Sequence, residues 1–132
     1  MRILVDTHAF LWARMDPKKL SGKVRVEPAL PGNEVFVSVM TFWEISLKFS
    51  LGKLDLRGIT PLELPGVAEV AGFQICPLDP SAAASYFQLP RFGHKDPFDR
   101  MLIWQAIQSS ATLVSKDSEM MLYAGSGLKV LW

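Results

Sequence analysis

Short apolar, β-branched runs recur along this chain, and each is separated from the next by residues that favour a helix. Ile3 to Val5 stops at Asp6, and EVFVSV from Glu34 to Val39 leads into a helical stretch. Phe73 to Pro77 and Thr112 to Ser115 read as a third and a fourth strand, and Leu128 to Leu131 as a fifth. Strands that alternate with helices predict an α/β domain with a mostly parallel sheet, since parallel neighbours need a crossover that a helix supplies. Such sheets bind ligands outside the carboxyl ends of their strands, where the strand order reverses. Asp6 and Asp117 each lie at or just past such an end.

The segments between the strands carry helix signals of uneven strength. Gly93 to Ile107, GHKDPFDRMLIWQAI, is the clearest. Asp96 precedes Pro97, which suits the first helical position because its missing N–H has no intrahelical partner there, so Asp96 reads as the N-cap. Met101, Leu102, Ile103, Trp104, Ala106 and Ile107 make this helix apolar nearly all round and therefore buried. Asp99, three residues after the cap, either reaches back to the cap backbone as in a capping box or turns outward into a cleft. The Asp79-Pro80 pair repeats the cap-then-proline signature before SAAASYF, and Thr60 to Val70 carries Pro61 in its first turn. Thr41 is the expected cap of a helix with Trp43, Glu44, Ile45 and Leu47, which Gly52 ends. A short helix is expected within Lys18 to Pro31, weakened by Gly22, Pro28 and Pro31.

With 132 residues the chain fits one domain, residues 1–132, without a metal or disulfide staple. Cys76 is the only cysteine, so no intrachain disulfide forms, which suits a reducing cytosol. Apolar runs stop well short of a membrane span, and Asp6 interrupts any signal-peptide core, so a soluble cytoplasmic protein is expected. A net charge of +1 argues against a large basic field. If four of the 13 acids were neutralised by metal, 14 basic residues would face 9 acids, leaving +5. That balance permits RNA binding without demanding it.

Asp6 after the first strand, Glu44 in the helix after the second, Asp99 opening the helix before the fourth and Asp117 after the fourth can converge on one crevice. Clustered carboxylates raise each other's pKa and stay ionised only if a cation compensates. Oxygen-only ligands select hard cations, so Mg²⁺ or Mn²⁺ fits better than zinc, for which no Cys or His pair has the spacing. Such an ion activates water and stabilises an in-line displacement at phosphorus. Each acid also has a plainer account: Asp6 and Asp117 as caps, Glu44 paired with Lys48 one turn on, and Asp99 completing a capping box.

Ser38 and Ser115 end strands beside the crevice, where a hydroxyl can hold an acid. Lys95, Arg100 and Lys116 flank the acids and can meet phosphates, although a solvated charge is the commoner role of any one of them. His8 and His94 stand as bystanders. Trp12, Phe42, Trp43 and Trp104 suit a core, a nucleobase-stacking surface or an interface, and for some of them an interface is preferred. Phe10, Trp12, Phe42, Trp43 and Phe49 on two helices supply more aromatic surface than one small core encloses, as a groove for a partner segment would need.

The ordered set LVDTHAFLW, VSVMTFWEISLK, LGKL, HKDPFDRMLIWQA and LVSKD resembles a PIN domain of the VapC toxin type over nearly the whole chain. The resemblance implies a three-layer α/β fold with a central parallel sheet in strand order 3-2-1-4-5. The family's acids carry over onto Asp6 in VDTH, Glu44 in FWEI, Asp99 in DRMLIWQA and Asp117 in SKD. Asp96 matches the HxDPFDR variant, either as a fifth ligand or only as the cap. Ser115 keeps the hydroxyl that is often a threonine before the last aspartate, and Trp104 stands where a small residue is usual.

The implied activity is Mg²⁺- or Mn²⁺-dependent endoribonuclease cleavage of structured cellular RNA, silenced by a cognate antitoxin protein, usually in a homodimer. Trp12, Phe42 and Trp43 are then the expected antitoxin groove. Rival readings are a PIN-fold RNA- or protein-binding module without catalysis, disfavoured by intact acids at all four positions, and a structure-specific DNA nuclease, disfavoured by the short chain.

Overall fold

A computed structural model describes all residues 1–132. Five strands, β1 (Arg2–Val5), β2 (Glu34–Ser38), β3 (Gln74–Cys76), β4 (Thr112–Val114) and β5 (Lys129–Leu131), form one sheet in the order β3-β2-β1-β4-β5. All four pairings are parallel, with Val5 beside Val37 on one side and Val114 on the other. The chain builds outward from β1 to β3, then returns to place β4 on the other side of β1. The order reverses between β1 and β4, where a parallel sheet opens its crevice.

The helices are α1 (Thr7–Met15), α2 (Gly22–Val26), α3 (Val39–Ser50), α4 (Leu64–Val70), α5 (Pro80–Ser85) and α6 (Pro97–Gln108). Tight 3-10 turns extend the chain at 17–19, 27–29, 61–63, 86–88 and 118–126. The strand period of two divides the apolar residues between two cores. Ile3, Val5, Val37 and Val114 face α1, α3 and α4 with Phe10, Ile45, Leu64 and Ala68. Leu4 and Leu113 face α6 with Leu102, Ile103 and Tyr123. The sheet is thus covered on both faces, as parallel sheets must be.

Several local expectations change in the folded chain. The cap of α3 is Ser38 rather than Thr41: the Ser38 hydroxyl accepts from Met40 N–H at 3.0 Å, one turn earlier than the threonine would. Thr41 is instead buried, its hydroxyl 3.1 Å from that of Thr7, a polar clasp between α1 and α3. The stretch from Lys18 to Pro31 forms α2 flanked by two 3-10 turns, the breaks falling near its glycine and prolines. Trp104 is accommodated by the small side chains of α5, and its indole N–H donates to Ser85 Oγ at 3.1 Å.

Candidate functional site

β1 ends at Val5, and Asp6 caps α1 by accepting from Ala9 N–H at 2.8 Å. The Asp6 N–H donates to the Val114 carbonyl at 3.0 Å, which fixes this carboxylate beside the end of β4. Only 6 % of Asp6 is exposed. Burial raises its pKa, against the opposing pull of the Ala9 amide, the Ser115 hydroxyl and His8, while Glu44 adds to the rise. The hydroxyl of Ser115 itself accepts from the Asp117 N–H at 3.2 Å.

Glu44 reaches the same region from α3 and is 2 % exposed. Its Oε2 is paired with the ammonium of Lys48 one turn on, while its Oε1 is buried with no hydrogen-bond partner. A buried carboxylate oxygen without a donor is costly. Lys48, half exposed, has its pKa raised chiefly by that bond, and Asp96 and Asp99 contribute through their charge.

Asp96 caps α6 by accepting from Phe98 N–H at 2.8 Å. Asp99 forms no capping box with it; the reciprocal arrangement occurs instead at Thr60 and Glu63. Freed from that role, Asp99 faces the other acids. Burial, then the charges of Asp96, Glu44 and Asp6, push its carboxyl up to about 6, with His94 opposing. Asp6, Glu44, Asp96 and Asp99 thus lie near enough to perturb one another, and Lys48 is the cation among them.

Asp117 stands at the edge of this group. Burial alone would raise its pKa, but a hydrogen bond from His94 and one from the Glu119 amide bring it below the usual carboxylate range. His94 Nε2 lies 2.8 Å from Asp117 Oδ2, and the ring is buried with Nδ1 unpartnered. His94, Asp117 and Glu119 can bring ligand atoms within 4.8 Å of one another, a proximity that Asp6, Glu44 and Asp99 do not reach as a trio. The histidine was not a bystander, and its place two residues before the cap of α6 is the signal that sequence reading passed over.

The flanking residues divide. Lys95 and Lys116 are exposed beside the acids. Arg100 is not a phosphate ligand: it is 2 % exposed and points away, donating to Tyr86 Oη at 2.8 Å and to the carbonyls of Leu89 and Pro90 at 3.0 and 3.1 Å. From Asp99 to Arg100 the helix turns about 100°, enough to exchange cleft for core. Ser38 holds no acid either, since its hydroxyl donates to Gln105 Oε1 on α6.

The three expected groove aromatics are also separated. Phe42 and Trp43 line a hollow of about 590 Å³ with Phe49, Pro61, Leu62 and Pro65. Trp43 is 61 % exposed and meets Phe98 edge-on at 5.4 Å. Trp12 lies in a different hollow and packs edge-on against Trp132, while Phe10 is buried in the core.

The donor set can be tested against a divalent ion. Asp6, Glu44 and Asp99 offer oxygen alone, one of those oxygens is buried without a partner, and the carboxylates repel one another. These residues fit a hard cation of the Mg²⁺ or Mn²⁺ type.

A family profile described as PIN domain matches residues 3–125. No curated protein matches the sequence. Among solved structures, the chain is similar to VapBC2 from Rickettsia felis, crystallised bound to a DNA fragment from its promoter, at 15 % identity and TM-score 0.69, covering 99 % of this chain and 98 % of that one. It is similar to FitAcB from Neisseria gonorrhoeae at 22 % identity and TM-score 0.67, covering 98 % and 96 %. It also resembles VapBC-1 from nontypeable Haemophilus influenzae at 16 % identity and TM-score 0.64, covering 99 % and 97 %. At these identities the likeness is one of fold.

Proposed function

The chain belongs to the PIN domain family, and we propose that it is a divalent-metal-dependent endoribonuclease acting as the toxin of a toxin–antitoxin pair. The observation that carries this reading is the buried group of mutually repelling carboxylates, with Glu44 Oε1 unpartnered and Asp99 held at about 6. Sites whose carboxylates are perturbed this far are built for chemistry or cations more often than for stability.

Asp6, Glu44, Asp99 and Asp117 would hold Mg²⁺ or Mn²⁺, with Asp96 alongside. When bound, that ion supplies an activated water and neutralises charge developing on a phosphoryl group. The chain's own residues do the rest. The Ala9 amide fixes the Asp6 carboxylate, the Ser115 hydroxyl accepts from the Asp117 N–H, and His94 holds the Asp117 carboxylate. Lys95 and Lys116, exposed on either side, are suited to orient the RNA backbone.

The cognate antitoxin enters this reading through Phe42, Trp43 and Phe49, whose hollow suits an inserted apolar segment, and through the VapBC proteins that share the fold. A homodimer is part of the same reading, supported by exposed apolar side chains such as Val70 and Phe87. No helix is long and apolar enough to cross a membrane, and the proposed place of action is the cytoplasm.

The test is cleavage of structured RNA by purified protein with chelator and with Mg²⁺ or Mn²⁺ restored, alongside melting in each condition. Cleavage that survives exhaustive chelation overturns the metal dependence. A protein that neither cleaves RNA nor gains stability from either ion overturns the nuclease reading.

A further inference from the structure

Beside the acids, α1, the start of α3's last turns and the loop after it enclose a hollow of about 450 Å³ that neither the catalytic reading nor the antitoxin groove uses. Its wall carries His8, Lys19, Lys48, Lys53 and Arg57 against a single acid, Asp16, which lies 3.9 Å from Lys19. For a chain of net charge +1 this is a marked concentration of positive charge.

The hollow is joined to the acid group at two places. Thr7 and His8 line it directly after Asp6, and Lys48 lines it while its ammonium holds Glu44. At the rim, the Trp12 ring has Lys19 Nζ and Lys116 Nζ each 5.9 Å from its centroid. Cations at that distance are held by the ring face, so Trp12 gathers two ammonium groups toward the cleft. Lys116 lies next to Asp117, so one row of cations runs from the edge of the acids to the far wall of the hollow.

That wall is preorganised. Arg57 Nη1 donates to the Met15 carbonyl at 2.7 Å, and its backbone N–H donates to Asp55 Oδ1 at 2.8 Å. The residue adopts a φ of 55°, a conformation that non-glycine residues hold only when the loop imposes it. Lys53 has no side-chain partner and is exposed, free to meet an anion.

We infer that this hollow is a phosphodiester subsite, which takes the backbone of single-stranded RNA adjoining the bond to be cut. The inference rests on the ribonuclease reading above and adds to it the direction in which the strand leaves the acids, past Thr7 and Lys48 toward Lys53 and Arg57. Trp12 is a positioning residue here, acting through the two ammonium groups it holds.

The experiment measures binding of a fluorescein-labelled, single-stranded oligoribonucleotide by anisotropy over a series of KCl concentrations. Asp99→Asn protein with Mg²⁺ is used so that the strand survives. Lys53→Gln and Arg57→Gln are each expected to weaken binding about threefold to tenfold and to flatten the salt dependence by about 0.7 per lost phosphate contact. Lys129→Gln, at the opposite end of the sheet, is expected to change neither. If Arg57→Gln melts early through loss of the Met15 bond, Lys53→Glu takes its place with a larger loss expected. Wild-type affinity and salt slope in folded Lys53→Gln and Lys53→Glu overturn the subsite. If protein with Asp99 intact still cleaves RNA in that case, the ribonuclease reading stands without it; if that protein neither binds nor cleaves RNA, both fall.

Discussion

Replacing Asp99 by asparagine should make the metal-free protein more stable while removing its proposed activity. The folded-state pKa of Asp99 is about 6 against an ordinary 3.8. A carboxyl whose pKa is raised on folding favours the fold below about pH 4, where it is protonated in both states, and that contribution is lost as pH rises through about 6. The difference of about 2.2 units corresponds to about 3 kcal/mol at neutral pH. Asp99 is only partly buried, so solvent screening reduces this to about 1.5 kcal/mol. With an unfolding entropy of about 0.28 kcal/mol/K for a chain of this length, Asp99→Asn should melt about 5 °C above wild type at pH 7.5 in EDTA. The gap should narrow as pH falls through about 6 and close only below about pH 4, where Asp99 is protonated in both the folded and the unfolded state. Thermal melts by circular dichroism across that range, with chelator present, read the effect. A variant that melts at or below wild type at pH 7.5, or a gap independent of pH, would refute the electrostatic reasoning.

Asp96→Asn should keep the α6 cap and lose less RNA cleavage than Asp99→Asn, whereas Asp96→Ala should lose about 1 kcal/mol of stability in denaturant titration. Arg100→Met should leave Tyr86 Oη and the Leu89 and Pro90 carbonyls without their donor and cost about 3 kcal/mol, read as a lower denaturation midpoint. Trp43→Ala should weaken a co-expressed antitoxin in pull-down while leaving RNA cleavage and melting temperature near wild type, because the ring is mostly exposed.

What the sequence disclosed was what local chemistry decides. The five strands, Asp6 at the end of β1 and the Asp96-Pro97 start of α6 follow from periodicity and capping, which act over a few residues. Ser38 displaced Thr41 as a cap because both are capable, and only the end of β2 chooses between them. Arg100 was misjudged because its neighbours Asp96 and Asp99 face the cleft, and the turn of the helix that sends it inward toward Tyr86 and Tyr123 is tertiary information. The bond from His94 to Asp117 joins residues 23 apart, so although His94 stands two residues before the α6 cap, nothing local names its partner. Trp12 and Trp43 look equivalent in the sequence, yet α1 and α3 turn them into separate hollows.

The position of β4 has a consequence for how the sheet closes. Asp6 follows the first strand, but its backbone is tied to Val114, and β4 is the strand inserted between β1 and β5. Residues 1–110 carry Asp6, Glu44 and Asp99 yet lack β4, the neighbour of the central strand β1, and with it Asp117. Domains fold as units, and here the sheet closes only when Ile3 finds Thr112 across most of the sequence. The proposed site is therefore only as secure as that one pairing, and local opening of β4 would take Asp6 and Asp117 apart together.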